Sequence, residues 1–416
     1  MSAWHNDAVT APHPDDVPRW VDPWSLDEGT DRALALFAES FGGEPAVAAS
    51  SPGRLTVIGD HTDYSDGLTL ATVTAHRTFV AARRRDDQAV RVVSAQGDTV
   101  AGPGIRWEGA LGALDVEHGG WPARVAGVLW ALAERGYPAT GLDLAIDSCL
   151  PTGSGLGSSA ALTTAVGRAC DAVWGLALDT ADGTVELAEA CWEAEHTFVG
   201  FPCGRLDPHT ALRCADDEAL LLDFASTPPD VTHYPLYFRD YGLRLLVIET
   251  AARPHDWGAS YARRSRDAAR AAHALGVETL RELADGPDPV ARLAAIPDDT
   301  VRRRARHIVT EDARVRATVA ALGGLGPAHD RFTEIGALML DSHRSLRTDY
   351  DASTPDLDTA VDAAFGAGAL GARLAGAGFG GAAVALTRTP AVDAVADQVD
   401  ALFVALGRAR PRFLLV

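Results

Sequence analysis

The residues best suited to chemistry lie in two short segments, one polar and one rich in glycine. The polar segment, Gly53–Tyr64, follows an apolar stretch and packs Arg54, Asp60, His61 and Asp63 into ten residues. Carboxylates and an imidazole so close together suit a ligand with many hydroxyls, because an ionised carboxylate only accepts hydrogen bonds and a hydroxyl offers it a directed donor. A solvated loop with aspartate turns is the simpler alternative for any one of these residues.

The glycine-rich segment runs from Pro151 to Ala161, between a predicted strand and a predicted helix. Its three glycines, at alternate positions 153, 155 and 157, let the backbone approach a ligand closely. A helix beginning near Ser158 would direct free N–H groups and its positive end at that ligand, which favours phosphate. Ser158 and Ser159 can cap the helix or offer a hydroxyl to a phosphate or a metal-bound oxygen. A serine-capped glycine turn is the alternative.

A second glycine cluster, Gly376–Gly381, precedes a predicted strand. It is either a second backbone wall against a nucleotide or a tight connection, and taken alone the connection is favoured. The sequence contains no lysine, so all 37 basic residues are arginine. This excludes a P-loop lysine, a pyridoxal Schiff base and the strand lysine of protein kinases. Phosphate charge would have to be balanced by backbone N–H groups, arginine and a divalent ion.

The composition sets limits on partners and compartment. The 416 residues are 47% hydrophobic and 23% charged, typical of a globular protein of two or three domains. The formal charge of −20 disfavours both nucleic acid and anionic membranes as partners. Five cysteines without Cys-x-x-Cys spacing indicate neither a disulfide framework nor a zinc site. With no recognisable export signal or long apolar segment, we expect a cytoplasmic protein.

The elements predicted around these segments form two mixed domains. Periodicity predicts helices at 27–41, 121–135, 261–275, 301–322 and 330–347, and strands at 46–58, 78–83, 89–94, 142–146, 220–224, 244–249, 382–386 and 412–416. Residues 1–25 are expected to be an irregular lead-in. The proline-rich stretch 227–234 is interpreted as a loop, which divides the chain into domains 26–228 and 229–416. The predicted fold class is α+β, with the active site in the cleft between the two domains.

Five segments, taken together and in order, resemble the galactokinase branch of the small-molecule kinases named after galactokinase, homoserine kinase, mevalonate kinase and phosphomevalonate kinase. They are Gly53–Tyr64, Pro151–Leu162, Phe201–Asp207, Ser342–Asp358 and Gly371–Leu386, and they span nearly the whole chain. Gly-Asp-His-Thr-Asp-Tyr in the first segment and Ser342–Tyr350 in the fourth are similar to signatures of that branch.

The resemblance implies an ATP-dependent sugar 1-kinase, which transfers the γ-phosphoryl group to the anomeric hydroxyl of galactose or a galacto-configured sugar. It implies a catalytic base, Asp207, beside Arg54. The implied sugar site is Arg54, Asp60, His61, Asp63, Gly204, Asp207 and Tyr261. The implied ATP site is Pro151, Gly153, Gly155, Leu156, Gly157, Ser158, Ser159 and Ala160, with Mg²⁺ held by Ser159 and Glu195.

The sequence departs from the family pattern close to the implied sugar site. Asp60 stands where galactokinases usually carry glutamate, Pro208 follows the implied base in place of glutamine, and Arg205 replaces an apolar residue. A shorter acid and an added arginine keep open a larger or already phosphorylated aldose, such as an octose phosphate. A sugar and ATP sensor without turnover, and a mevalonate- or homoserine-type kinase, are further alternatives. The sequence leaves a monomer and a dimer equally open.

Overall fold

The computed structural model describes residues 18–96, 105–114, 120–250 and 257–416, and within these ranges the chain forms two β-sheets flanked by helices. The strands are β1 (Arg19–Trp20), β2 (Val47–Ile58), β3 (Leu68–Arg84), β4 (Ala89–Ser94), β5 (Ile105–Ala110), β6 (Leu142–Ser148), β7 (Glu218–Asp223), β8 (Asp230–Pro235), β9 (Leu243–Glu249), β10 (Gly371–Ala375), β11 (Ala382–Arg388) and β12 (Arg412–Leu415). The helices are α1 (Leu26–Phe41), α2 (Gly120–Glu134), α3 (Ser158–Trp174), α4 (Ala181–Glu193), α5 (Leu206–Arg213), α6 (Trp257–Leu275), α7 (Leu280–Ala284), α8 (Pro289–Arg292), α9 (Asp299–Gly323), α10 (Ala328–Thr348), α11 (Pro355–Gly366) and α12 (Val392–Ala405).

The first sheet is organised around β3, a strand of 17 residues rich in threonine, valine and alanine. Its strand order is β5-β4-β6-β3-β7-β8, and β2 pairs antiparallel with β3 along almost its whole length. Helices α2, α3 and α4 cover one face of this sheet in an apolar core. On another face α1 places Ala33 and Phe37, one helical turn apart, against Phe79.

Strand β2 is irregular at Gly53, between Pro52 and Arg54, where its register against β3 shifts. A Cβ on Gly53 would lie 2.8 Å from the carbonyl oxygen of Leu156 and equally close to the side chain of Leu150. Glycine is therefore required for the glycine-rich segment to approach this strand. The approach is fixed by a 2.9 Å hydrogen bond from the backbone N–H of Arg54 to the carbonyl of Leu156.

The second sheet has the order β1-β12-β9-β11-β10 and is packed against the helices of the C-terminal half. A third apolar cluster joins the two halves, because it combines Leu55 and Ile58 of β2 with Val247 of β9 and Ile335 of α10. The two sheets therefore share a continuous apolar core, and the cleft lies between them on one side of this core. The helices and strands together give the α+β, two-domain architecture expected from the sequence.

The structure differs from the sequence interpretation at the ends of the predicted domains. Of the expected irregular lead-in 1–25, residues 1–17 lie outside the described ranges, and Arg19–Trp20 pairs in parallel with Arg412–Phe413. The stretch 227–234 is not wholly a loop, because β8 within it pairs antiparallel with β7. A division by sheet therefore falls between Pro235 and Leu243 rather than after residue 228. Across the described part of the chain, none of the helices has the length and apolar character needed to cross a membrane.

Candidate active site

Two adjoining cavities lie in the cleft between the sheets. The first is lined by all seven residues of the implied sugar site and also by Ser159, Glu195, Trp192, Phe201, Pro202, Cys203, Leu206, Pro208 and Ala377. The second follows the glycine-rich segment and is lined by Gly153, Gly155, Gly157, Ser158, Ser159, Thr152, Leu162, Trp121, Arg124, Phe201, Arg54, Asp207, Ala377, Gly378, Gly380 and Gly381. Arg54, Asp207, Ser159, Phe201 and Ala377 line both cavities and so form the boundary between them.

Arg54 and Asp207 meet at this boundary although 153 positions separate them in the sequence. Arg54 Nε lies 2.5 Å from Asp207 Oδ1, and Arg54 Nη1 donates to the carbonyl of Gly155 at 2.8 Å. Burial by itself would lower the pKa of Arg54, but the carboxylates of Asp207, Asp60 and Asp63 together outweigh it and the pKa is raised. The guanidinium is thus fixed, charged and oriented between the acid and the glycine-rich segment.

Asp63 is positioned by a close approach that only glycine permits. A Cβ on Gly204 would lie 1.7 Å from Asp63 Oδ2, so no other residue fits there without displacing the carboxylate. The same oxygen accepts a 3.1 Å hydrogen bond from the hydroxyl of Tyr261. Burial raises the pKa of Asp63 to about 6; the Tyr261 hydrogen bond lowers it, and the nearby carboxylates of Asp207 and Asp60 add to the rise.

Asp60 is held from the C-terminal half of the chain. Its Oδ2 lies 2.7 Å from Nη2 of Arg373, which is fully buried and also donates to Ser342. Burial raises the pKa of Asp60, while Arg373 and Arg54 oppose the rise. Asp60 therefore faces the first cavity with one carboxylate oxygen already bound by an arginine.

His61 is a buried residue of the wall of the first cavity and has a left-handed backbone conformation, with φ of 70°. Burial, helped by the neighbouring His307, lowers the pKa of His61 to about 3, so the imidazole is neutral at physiological pH. Its Nε2 lies 2.8 Å from the carbonyl of Ala377, and its Nδ1 lies 3.0 Å from the hydroxyl of Tyr64. Because a carbonyl only accepts, Nε2 carries the proton and Nδ1 accepts from Tyr64.

The glycine-rich segment presents backbone rather than side chains. The residue that caps α3 is Gly157, with φ of 67° and ψ of 34°, and no side chain caps the helix. The expectation that Ser158 or Ser159 caps α3 is therefore wrong, since both lie inside the helix. The N-terminus of α3 borders the second cavity, which Gly157, Ser158 and Ser159 line, as an anion site requires.

The second glycine cluster is a backbone wall of this cavity. A Cβ on Gly376 would lie 2.8 Å from the carbonyl oxygen of Gly155, and one on Gly381 would lie 3.1 Å from that of Ser154. Both glycines have positive φ, of 75° and 85°. The two glycine segments are thus in direct backbone contact. The second segment is a wall of the cavity and not only a tight connection.

Ser159 and Glu195 meet at the edge of the first cavity. Glu195 belongs to a π-helical turn, Ala194–Phe198, that continues α4. Burial raises the pKa of Glu195, against the opposing effects of Arg124 and of a hydrogen bond with Ser159. Carboxylate and hydroxyl oxygens suit Mg²⁺, which binds few protein ligands and completes its shell with water and phosphate. The described residues contain no group of three or more His, Cys, Asp or Glu that could hold a metal.

Some residues of the predicted ATP site lie behind the wall of the second cavity. Leu156 and Ala160 are buried at about 1% exposure, and Pro151 is buried as well. The carbonyl of Leu156 binds Arg54, and that of Pro151 accepts from Ser154. These three residues shape the loop from within, whereas the glycines and the two serines line the cavity.

Arg205 does not reach either cavity. Its Nε lies 3.0 and 2.9 Å from the two carboxylate oxygens of Glu189, and its guanidinium stacks at 3.6 Å on the ring of Trp192. Trp192 itself lines the first cavity. Arg205 therefore supports a wall and contributes no cation to the first cavity.

The sequence interpretation missed two groups of residues. Trp121, Arg124, Trp192 and Phe201 line the cavities, and His307, Glu311 and Arg373 hold the polar segment in place. The second group carries no local signal, because each residue is about 250 or more positions distant from the segment that it binds. Trp192 could have been found, since it lies one helical turn before Glu195.

Comparisons with known proteins agree with this architecture. The sequence matches the family descriptions "GHMP kinases N terminal domain" at residues 123–213 and "GHMP kinases C terminal" at 324–405. It also matches the "Galactokinase galactose-binding signature" at residues 35–84. The fold and the site thus define a small-molecule kinase of this class.

Relatives narrow the class further. The chain is 38% identical over 381 residues to a galactokinase of Streptomyces coelicolor, covering 90% of this chain and 93% of the relative. It is 38% identical over 370 residues to a galactokinase of Mycobacterium tuberculosis, with coverage of 88% and 95%. The structure superposes on Lactococcus lactis galactokinase, solved with galactose, with a TM-score of 0.81, 28% identity and coverage of 92% and 97%. The chain belongs to the galactokinase family.

Proposed function

We propose that this protein is an ATP-dependent galactose 1-kinase. The single observation that carries the proposal is the Arg54–Asp207 pair at the boundary of the two cavities. One cavity is lined by carboxylates and a tyrosine that suit sugar hydroxyls, and the other by free helix N–H groups that suit phosphates. A sugar hydroxyl at the boundary would face the terminal phosphoryl group across this pair.

Asp207 is the general base in this proposal. It accepts the proton of the C1 hydroxyl as the O1–Pγ bond forms and the bond from Pγ to the β,γ-bridging oxygen breaks, releasing ADP. Arg54 keeps the carboxylate oriented and adds positive charge next to the transferring group. Phosphoryl transfer has a loose transition state, so positioning and charge supply most of the acceleration, and a general base contributes roughly 10²–10⁴-fold.

The other residues of the first cavity bind the sugar. Asp60 and Asp63 accept hydrogen bonds from its hydroxyls, Tyr261 orients Asp63, and Gly204 leaves room for that carboxylate. His61 is neutral and bound on both nitrogens, so it supports the wall through Ala377 and Tyr64 rather than acting as an acid or base.

Ser159 and Glu195 would hold Mg²⁺, since the hydroxyl and the buried carboxylate are hard oxygen donors beside the phosphate cavity. When bound, the ion supplies charge neutralisation for the triphosphate. The reaction needs ATP and a free sugar, so we place the protein in the cytoplasm, with these small molecules as its partners. A second chain, nucleic acid or a membrane is not needed for the chemistry.

Galactose itself is favoured over a phosphorylated aldose. Arg54 is the one cationic side chain among the described residues lining the first cavity, and it is already bound by Asp207 and Gly155. Arg205, the added arginine that kept a phosphorylated aldose open, is bound to Glu189 outside the cavity. A sugar phosphate would therefore bring its charge to a wall of carboxylates.

A coupled assay for ADP release, with ³¹P detection of the product, tests the proposal. We expect turnover with galactose and formation of galactose 1-phosphate, and kcat/KM values at least tenfold lower for an octose phosphate, mevalonate and homoserine. ATP and galactose binding without any ADP release would instead indicate a sensor. Faster turnover of the phosphorylated aldose would show that this sugar phosphate, and not galactose, is the substrate.

A further inference from the structure

The cavity along the glycine-rich segment is short of positive charge for a triphosphate. Of its lining residues within the described parts of the chain, two are cationic, Arg54 and Arg124. The sequence offers no lysine to supplement them. A nucleoside triphosphate carries several negative charges, which the helix N-terminus alone balances only in part.

Arg54 is already bound by other residues at the edge where this cavity adjoins the first. Its Nε is bound to Asp207 and its Nη1 to the carbonyl of Gly155. Both contacts keep the guanidinium at the boundary, where it faces the reacting hydroxyl as much as the phosphates. The remaining length of the triphosphate needs a different partner.

Arg124, in the second turn of α2, has hydrogen-bond donors available for a ligand. Its Nε lies 3.3 Å from Glu195 Oε2 and its Nη1 lies 3.2 Å from the carbonyl of Gly120. Charge-assisted hydrogen bonds between N–H and carboxylate normally measure about 2.7–2.9 Å, so the Glu195 contact is loose. Its Nη2 has no hydrogen-bond partner among the described residues. The side chain is 20% exposed and its guanidinium lies 5.6 Å from the Phe201 ring, a residue that lines both cavities.

We propose that Arg124 binds the triphosphate of the nucleotide in the second cavity. The inference rests on the proposed function, because it assumes that the second cavity holds a nucleotide. Arg124 is then a phosphate-binding residue that takes the place of the lysine this chain lacks. Its fork of donors can serve a phosphate oxygen through Nη2 while Nε stays near Glu195.

The competing explanation is that Arg124 only neutralises the buried Glu195. The two explanations predict different results once Glu195 carries no charge. In a Glu195→Gln background, a guanidinium that only serves Glu195 has no remaining role. A guanidinium that binds phosphate still contributes in that background.

The chain contains a matched control for this experiment. Arg135, just after the end of α2, binds Glu193 at 2.6 Å through Nη1 and the carbonyl of Ala131, four residues before it, at 3.1 Å. Arg124 has the same two kinds of partner, an acid from α4 or the π-helical turn that continues it and the carbonyl of a residue four positions earlier, here Gly120. Arg135 lines neither cavity.

Calorimetric titrations with ATP, ADP and adenosine, in EDTA and without sugar, test the proposal. Relative to Glu195→Gln alone, we expect Glu195→Gln with Arg124→Met to bind ATP roughly 10- to 100-fold more weakly, the usual value of a hydrogen bond to a charged group. Adenosine binding should change less than twofold, Arg124→Lys should recover part of the ATP affinity, and Arg135→Met should leave all three ligands unaffected.

Equal ATP affinity with and without Arg124 in that background would overturn the proposal, as would a parallel loss of adenosine binding. Thermal unfolding of each variant separates a folding defect from a binding defect, and Arg124→Gln replaces Arg124→Met if the latter does not fold. The proposed function fails in a different way, by an absence of galactose phosphorylation in the unaltered protein. An ATP-binding contribution of Arg124 would remain measurable in that case.

Discussion

The two sides of the cleft are built in different ways. The glycine-rich side presents backbone N–H groups from one continuous segment, and its geometry depends on glycines that tolerate positive φ and close contact. The polar side presents side chains, and each of these is held by residues from distant parts of the chain. The first arrangement binds charge with little side-chain specificity, whereas the second places individual oxygens where sugar hydroxyls can meet them.

Helix α9 shows how the polar side is held. Its His307 lies 3.1 Å from the carbonyl of Asp60, its Glu311 accepts the N–H of Gly59 at 3.1 Å, and its Asp312 accepts the N–H of Leu68 at 2.9 Å. Burial alone would raise the pKa of Glu311, but Arg314, His307 and Arg373 together hold it at about 2. Glu311 is therefore ionised at physiological pH and anchors the start of the loop permanently.

This difference has a consequence for substitutions. A change at Asp60, Asp63 or Gly204 should alter sugar binding and leave nucleotide binding intact, since these residues, unlike Arg54, make no hydrogen bond to the glycine-rich segment in the described parts of the chain. A change at the boundary should alter turnover more than either affinity. The following predictions test that separation.

The largest effect is expected at the boundary itself. Asp207→Asn keeps the size of the side chain but removes the base, so kcat should fall roughly 100- to 10,000-fold. The affinity for ATP, measured by calorimetry, should stay within threefold, because the backbone donors of the glycine-rich segment are unchanged.

Asp356→Asn is the control for that substitution. The Asp356 side chain is 33% exposed and lies 2.8 Å from Arg408, close to the 28% exposure of Asp207 in its own arginine pair. It should retain wild-type kcat. If ATP affinity falls in step with kcat in Asp207→Asn, the acid is structural and the separation between the two sides is wrong.

The second prediction concerns the polar side alone. In Gly204→Ala the added methyl would fall 1.7 Å from Asp63 Oδ2 and must displace that carboxylate. We expect KM for galactose to rise roughly 10- to 100-fold, the value of a lost hydrogen bond to a charged group, with KM for ATP unchanged. Gly323→Ala, whose added methyl meets nothing within 4 Å, should behave as the wild type. Equal rises in both KM values would contradict the independence of the two sides.

The third prediction is a pH dependence of sugar binding. Because burial raises the pKa of Asp63 to about 6, its carboxylate becomes protonated as the pH falls through that value and stops accepting a sugar hydroxyl. The Kd for galactose, measured without nucleotide, should rise by roughly tenfold for each pH unit below that value. The effect on stability has the opposite sign: protonation relieves a buried charge, so Asp63 favours the folded state more as the pH falls from about 6 towards its ordinary value.

Tyr261→Phe sharpens this test. The Tyr261 hydroxyl donates to Asp63 and lowers its pKa, so its removal should move the acid limb of the galactose Kd profile to higher pH. Asp63→Asn should abolish the limb and weaken binding at every pH. If the acid limb persists in Asp63→Asn, it arises from the titration of a different group. Asp63 is then not part of the sugar site.

The difference between the two sides of the cleft also decided which features could be predicted from the sequence. Among the described elements, half of the helices and most of the strands were found, such as the helix predicted at 27–41 and observed as α1, because each has a strong local period. The glycine-rich segment was equally accessible, since all its chemistry lies within about a dozen residues. The strands β1, β5, β8 and β10 were missed, because they are short and, in the case of β8, follow two prolines. Only the C-terminal part of β3 was found, and the helices α4, α5, α7, α8, α11 and α12 were missed as well.

The support of the polar side could not be predicted. The residues that hold Asp60 and the start of its loop, namely Arg373, His307 and Glu311, lie about 250 to 310 positions later, and an arginine or glutamate in a helix or strand normally indicates solvent exposure. The partner of Arg205 was equally hidden. The sequence kept open a role for this added arginine in binding a phosphorylated aldose, but its partner is Glu189, 16 positions earlier, which sequence proximity does not reveal.

The smallest expected effect concerns that arginine. Arg205→Ala removes a partly exposed ion pair with Glu189 and a stacking contact with Trp192, each contributing up to about 1 kcal/mol to stability. We expect the melting temperature to fall by a few degrees. The kcat/KM for galactose should stay within about threefold, because Trp192 remains packed in the cavity wall. Discrimination against phosphorylated aldoses should also be unchanged, since the guanidinium does not line the cavity. A selective loss of activity on a sugar phosphate in Arg205→Ala would show that this side chain leaves Glu189 to meet a substrate, and the wall beside Trp192 would then belong to the binding site itself.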